Sequence, residues 1–178
     1  MEARLMSIDV LVSREDIAVR IKELAQQISR ETPEGEPLIV MGVLKGCFIF
    51  MADLVREIDR EVQIDFIQVG SYGSGQKSSG VVSLKKDHEV EIEGKHVLLV
   101  EDIVDSGLTL KHLVDLLQER KPASLRVVAL LRKPEAVVHQ APVDYLGFEI
   151  ENTFVVGYGL DHDERHRELP YVGVVRPD

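Results

Sequence analysis

The chain has 178 residues, 44% of them apolar and 29% charged, with a formal net charge of −10. This is enough for a full hydrophobic core in one domain, and the acidic balance, without a dense Lys/Arg cluster, argues against nucleic acid as the main partner. A single cysteine, Cys47, excludes an internal disulfide and a cysteine-based metal site and reads as a small buried hydrophobe.

The N-terminus lacks the charged-then-apolar pattern of a signal peptide, and no apolar run approaches membrane-spanning length; the expected setting is the cytoplasm, with no membrane partner. Ser13 is the expected cap of a helix whose apolar residues Ile17, Ile21, Leu24, Ala25 and Ile28 recur at helical spacing. Glu31-Thr32-Pro33-Glu34-Gly35 ends it. A buried strand, Leu38-Ile39-Val40-Met41, runs into Gly42-Val43-Leu44-Lys45-Gly46, and Phe48, Met51, Val55 and Ile58 mark a second helix. Lys45 therefore sits at a strand-to-helix junction, where a lysine either snorkels or faces an anion.

Val62, Ile64 and Phe66 alternate as a half-buried strand through Val69. Gly70 to Gly80 is rich in Gly and Ser and reads as a mobile loop, either a plain connection or a lid that excludes water. It has no Walker A spacing. Val81, Val82 and Leu84, then Val90 and Ile92, predict a small antiparallel excursion before Gly94 turns the chain.

The stretch from His96 to Leu110 organises the rest. Val97 to Val100 is an unbroken apolar run, as in a strand buried on both faces of a parallel sheet. Glu101 and Asp102 follow directly, Asp105 opens the loop Asp105-Ser106-Gly107-Leu108-Thr109, and Leu110, Leu113, Val114, Leu116 and Leu117 predict a helix. Open α/β sheets bind ligands at such strand ends. Gly107 permits close backbone approach, and the Ser106 and Thr109 hydroxyls lie beside the free N–H groups of the first helical turn, a ready phosphate site. The acidic pair would repel a phosphate but suits sugar hydroxyls or Mg²⁺. A ligand with a phosphate at one end and vicinal hydroxyls plus a metal-bound pyrophosphate at the other satisfies both halves.

Leu125 to Leu131 predicts the next buried strand; Pro134 cannot continue it, which leaves Lys133 at the same sheet edge. A further strand is expected around Tyr145-Leu146-Gly147-Phe148. On its own, Phe154 reads as core and His162 to Glu168 as a solvated mixed-charge segment. His162 and His166 lack a further ligand for zinc.

In their order and spacing these motifs resemble the type I phosphoribosyltransferases. The acidic pair, two apolar residues and Asp-Ser-Gly-x-Thr look like that family's loop for phosphoribosyl pyrophosphate (PRPP). Leu44-Lys45-Gly46 is similar to the pyrophosphate loop of its purine-specific members, and Ser71-Tyr72-Gly73 to the start of its catalytic loop. Phe148-Glu149-Ile150, Phe154 to Tyr158, Leu160-Asp161 and Arg167 resemble the purine-recognition tail of the hypoxanthine-guanine members, with Lys133 at the family's spacing from Phe154. The implied fold is α/β: a parallel central sheet flanked by helices, one domain spanning 1–178, a small hood from the terminal segments (about 133–178) and a flexible catalytic loop (about 70–80).

The resemblance implies purine salvage, in which a 6-oxopurine and PRPP give a nucleoside 5′-monophosphate and pyrophosphate. Glu101, Asp102, Asp105, Ser106, Gly107, Leu108 and Thr109 would hold PRPP; Lys45, Gly46 and Arg167 the pyrophosphate; Lys133, Phe154, Val155 and Asp161 the purine; Ser71 and Tyr72 would belong to the lid. Mg²⁺ would be held at Glu101 and Asp102, directly or through the ribose hydroxyls, with Asp161 at a second metal. Asp105 is the expected general base at purine N7. Lys133, an obligate donor, selects an exocyclic carbonyl and hence 6-oxopurines over adenine. Leu108 departs from relatives that carry a basic residue in the loop. The family implies a homodimer or homotetramer. Two rival readings are the same fold acting on xanthine or a pyrimidine, and a PRPP-sensing regulator that binds nucleic acid.

Overall fold

The computed structural model describes residues 7–35, 37–71 and 82–176. In chain order the elements are β1 (Ser7–Val12), α1 (Arg14–Glu31), β2 (Leu38–Leu44), α2 (Phe48–Glu57), β3 (Val62–Ser71), β4 (Val82–Lys86), β5 (His96–Val104), α3 (Leu108–Gln118), β6 (Ser124–Arg132), β7 (Tyr145–Glu149), β8 (Val155–Val156) and β9 (Val172–Arg176). Most of the loop expected at about 70–80, Tyr72 included, lies outside the described residues; Ser71 ends β3.

Ser13 caps α1 as its sequence predicts. Its hydroxyl oxygen accepts the Asp16 N–H at 3.1 Å, and its O–H donates to the Asp16 carboxylate at 2.6 Å. The buried stripe Ile17, Ile21, Leu24, Ala25 and Ile28 then faces the sheet. Arg20 reaches across to donate to the Leu146 and Gly147 carbonyls at 2.8 and 3.1 Å, fixing α1 against β7.

Six strands form the central sheet in the order β4-β3-β2-β5-β6-β7. All neighbours are parallel except β4, which returns antiparallel to β3. The apolar runs of β2, β5 and β6 are buried on both faces: α1 and α2 cover one, α3 the other. From β2 the chain moves outward to β3, and from β5 outward the other way to β7. The topological switch point therefore lies between β2 and β5, and the loops leaving those two strands flank one crevice, the place where such sheets bind ligands. A second, antiparallel sheet of order β1-β9-β8 joins both chain ends into the hood.

Two elements differ from the sequence reading. β5 continues past the apolar run to Val104, pairing Glu101 with Ala129 and Ile103 with Leu131, because the backbone ladder to β6 persists under polar side chains. Val90 and Ile92 are not in a strand; β4 stops at Lys86. The Asp65 carboxylate accepts the N–H groups of Glu89 at 2.6 Å and Val90 at 2.8 Å, taking donors a strand would have used, and Ile92 plugs the core instead.

Candidate active site

The loop after β5 has the geometry of an anion site. Gly107 stands at the N-terminus of α3 with φ +82°, and the His139 carbonyl leaves no room there for a side chain. The first turn of α3 has no acidic residue; its Leu108 N–H donates to Ser106 Oγ over a long 3.4 Å, and the N–H groups that follow remain available. The Ser106 carbonyl accepts from the N–H groups of Val138 and His139 at 3.0 and 2.9 Å, which anchors the loop. A cleft of about 150 Å³ is lined by Glu101 to Gly107, Thr109 and Leu110. A larger groove of about 860 Å³, between β1, α1 and the end of β7, holds none of these residues; Val10, Val12, Val19 and Phe148 line it.

Glu101 and Asp102, predicted to follow the strand, lie within its last turns of ladder. Glu101 is only 7% exposed, and its Oε2 has no hydrogen-bond partner among the described residues. Burial, then the neighbouring Asp102 charge, holds the Glu101 carboxyl well above the usual carboxylate range. Burial also raises Asp102, against the Glu101 carboxyl, the Ile103 N–H at 2.8 Å and the Arg167 charge. A buried Glu101 carboxyl with an unpartnered oxygen, beside the half-buried Asp102, is suited to a ligand that brings hydroxyl donors or a hard cation. The fit to Mg²⁺ is that of a metal held through one or two carboxylates, with water and phosphate oxygens completing its shell; no group of three or more ligating side chains gathers among the described residues.

Opposite this pair the hood meets the loop after β2. The Leu44–Lys45 peptide is cis. Gly159, with φ +103°, packs on the Gly46 carbonyl so closely that no Cβ would fit. Arg167 donates to the Gly159 carbonyl at 2.7 Å and pairs with Asp161 at 3.0 Å and Glu164 at 3.2 Å. Lys45 reaches the same Glu164 carboxylate at 2.9 Å. The structure thus brings Lys45, Gly46, Asp161 and Arg167 together, and adds Glu164, which the sequence reading left in a solvated segment.

At the end of β6, Lys133 is 7% exposed and its Nζ donates to Asp105 Oδ2 at 3.1 Å. Its own N–H bonds to the Val104 carbonyl at 3.0 Å, tying the β5 and β6 ends together. Phe154 is 52% exposed, so it is not core; its ring meets His162 edge-on, 5.4 Å between centroids. Val155 is buried in β8. His162 carried no signal as a neighbour of Phe154, because the turn that joins them is a tertiary feature.

The family model for the phosphoribosyl transferase domain matches residues 7–163. The hypoxanthine-guanine phosphoribosyltransferase of Dictyostelium discoideum is 46% identical over 176 residues, covering 97% of this chain and 98% of its own length. The chain belongs to the hypoxanthine-guanine phosphoribosyltransferase family. Its relative of that name in Bacillus subtilis (strain 168) is 47% identical over 168 residues, 94% of this chain and 93% of that protein. A crystal structure of a hypoxanthine-guanine phosphoribosyltransferase from Bacillus anthracis superposes with a TM-score of 0.90 at 47% identity, covering 96% of this chain and 100% of that one. Family membership makes the chain an enzyme of pentosyl transfer and assigns the sheet just described to the type I phosphoribosyltransferase fold. No described helix is long and apolar enough to cross a membrane.

Proposed function

We propose that the chain transfers the 5-phosphoribosyl group of PRPP to hypoxanthine, guanine or both, giving IMP or GMP and pyrophosphate. The observation that carries this reading is the 3.1 Å pair of Lys133 Nζ and Asp105 Oδ2. In a 6-oxopurine, O6 and N7 sit side by side on one edge of the base. A lysine beside a carboxylate offers that edge a donor for O6 and an acceptor for a proton at N7. The amino group of adenine would meet the lysine with a second donor. The names of the Dictyostelium and Bacillus relatives support the same substrate class.

The roles follow from position. Asp105, more than half exposed, is free to turn to the base and take the N7 proton as the purine attacks C1. Phe154 presents an exposed ring face for stacking, and the Val155 backbone with Asp161 reads the remaining edge. Ser106, Gly107, Leu108 and Thr109 hold the 5′-phosphate at the α3 N-terminus, where Leu108 contributes its N–H alone. Lys45, Gly46 and Arg167 bind the departing pyrophosphate. Glu101 and Asp102 would hold the ribose hydroxyls and, with them, Mg²⁺; Asp161, paired with Arg167 at 3.0 Å, would hold a second metal on giving up that pair. When bound, the metal neutralises pyrophosphate charge.

The test is Asp105→Asn. It should retain PRPP binding in a direct titration while the forward rate falls about 10²- to 10⁴-fold. Full activity in that variant would remove the assignment.

A further inference from the structure

The pyrophosphate subsite carries an anion of its own. One oxygen of the Glu164 carboxylate, Oε2, lies 2.9 Å from Lys45 Nζ and 3.2 Å from Arg167 Nη2. These are the two cations assigned above to pyrophosphate, and they reach the crevice from different sides, one from the end of β2 and one from the hood. Glu164 has a left-handed backbone, φ +61°, in a turn closed by paired His162 and Arg165 backbone hydrogen bonds of 3.0 and 3.1 Å. Its N–H donates to Asp161 Oδ2 at 2.9 Å. The backbone is thus fixed where the carboxylate can bridge both cations.

We propose that Glu164 is a built-in competitor for the pyrophosphate group: it bridges Lys45 and Arg167 before PRPP binds, yields them to the phosphate oxygens, and reclaims them as pyrophosphate leaves. The proposal rests on the phosphoribosyltransferase reading above. Exchange is easy in this geometry, because the Lys45 and Glu164 side chains are 55% and 64% exposed and their pairing is screened by water. Pyrophosphate brings several charges and can engage the Arg167 guanidinium through two oxygens at once, so it outcompetes one carboxylate. The same competition lowers affinity for the product and so hastens its departure.

The test is calorimetric titration of inorganic pyrophosphate with Mg²⁺ into wild-type protein, Glu164→Gln, Lys45→Ala and, as a charge control on α1, Glu15→Gln. Glu164→Gln should bind pyrophosphate about three- to tenfold more tightly and show a matching drop in its product-inhibition constant. Glu15→Gln should match wild type, and Lys45→Ala should bind more weakly. If Glu164→Gln binds no more tightly while Lys45→Ala weakens binding, the competitor role is overturned and the subsite stands. An equal gain in Glu15→Gln would reduce the effect to net charge and overturn it too. If Lys45→Ala binds as tightly as wild type, the subsite reading fails and the competitor with it.

Discussion

Gly46 lies directly against Asp102: a Cβ at position 46 would overlap the Asp102 carboxylate oxygen Oδ2. The Lys45–Gly46 loop and the Glu101–Asp102 carboxylates are therefore one packed unit, set by the parallel pairing of β2 with β5. Asp102 is held in its strand and also accepts the Ile103 N–H at 2.8 Å, so it has little freedom to withdraw.

Gly46→Ala should accordingly displace either the Lys45 loop or the Asp102 carboxylate. A displacement of about 1 Å in such a site can lower the rate about 100-fold. The expected result is a loss of that order in kcat/KM for PRPP, measured by steady-state kinetics, with the far-UV circular dichroism of the wild type retained. An Ala variant with normal PRPP kinetics would break the link between the two loops.

Phe154 separates a binding role from a packing role. Because its ring is 52% exposed, Phe154→Leu should change stability by no more than about 0.5 kcal/mol. Loss of base stacking, worth about 1–3 kcal/mol, should raise KM for the purine about 5- to 100-fold and leave KM for PRPP unchanged. A large drop in melting temperature with normal purine KM would return Phe154 to the core.

The sequence made the site's parts legible wherever function depends on one continuous stretch. The apolar run before Glu101, the Asp105 to Thr109 loop and the Lys133-Pro134 strand end each signal their place locally, and the structure gathers them at one sheet edge. What stayed hidden depends on partners distant in the chain. The continuation of β5 through its acidic residues is fixed by β6, and the place of β1 in the hood by β9. Phe154 on its own reads as core, since a phenylalanine does not reveal whether anything will cover it. Glu164 read as one charge in a solvated run because its partner Lys45 lies 119 residues away.

Asp65 also lacks a local signal. It is 8% exposed, and besides the Glu89 and Val90 donors it accepts the Phe66 N–H at 2.6 Å. Burial alone would raise its carboxyl; the three backbone N–H groups and Lys86 prevail and hold it below the ordinary aspartate value. The folded state therefore binds fewer protons than the unfolded chain in that range. Its contribution is present above the ordinary aspartate pKa and is lost as pH falls through the depressed value. Asp65→Asn, with one acceptor oxygen for three donors, should lose about 1–3 kcal/mol at pH 7. Paired melts from pH 7 downward should show the gap to wild type closing near and below about pH 4, just above the ordinary aspartate pKa. A gap independent of pH would mean that the Asp65 charge does no such work.

The central claim, that Lys133 and Asp105 read the O6 and N7 edge of a purine for phosphoribosyl transfer, is tested most directly by an absorbance assay. The protein, Mg²⁺ and PRPP are offered hypoxanthine, guanine, xanthine, adenine and uracil in separate reactions. Turnover of hypoxanthine or guanine with adenine and uracil inert is the predicted result, and it ranks the oxopurines. Turnover of adenine, or of no base while PRPP still binds, would contradict the account, the latter in favour of a PRPP-sensing regulator.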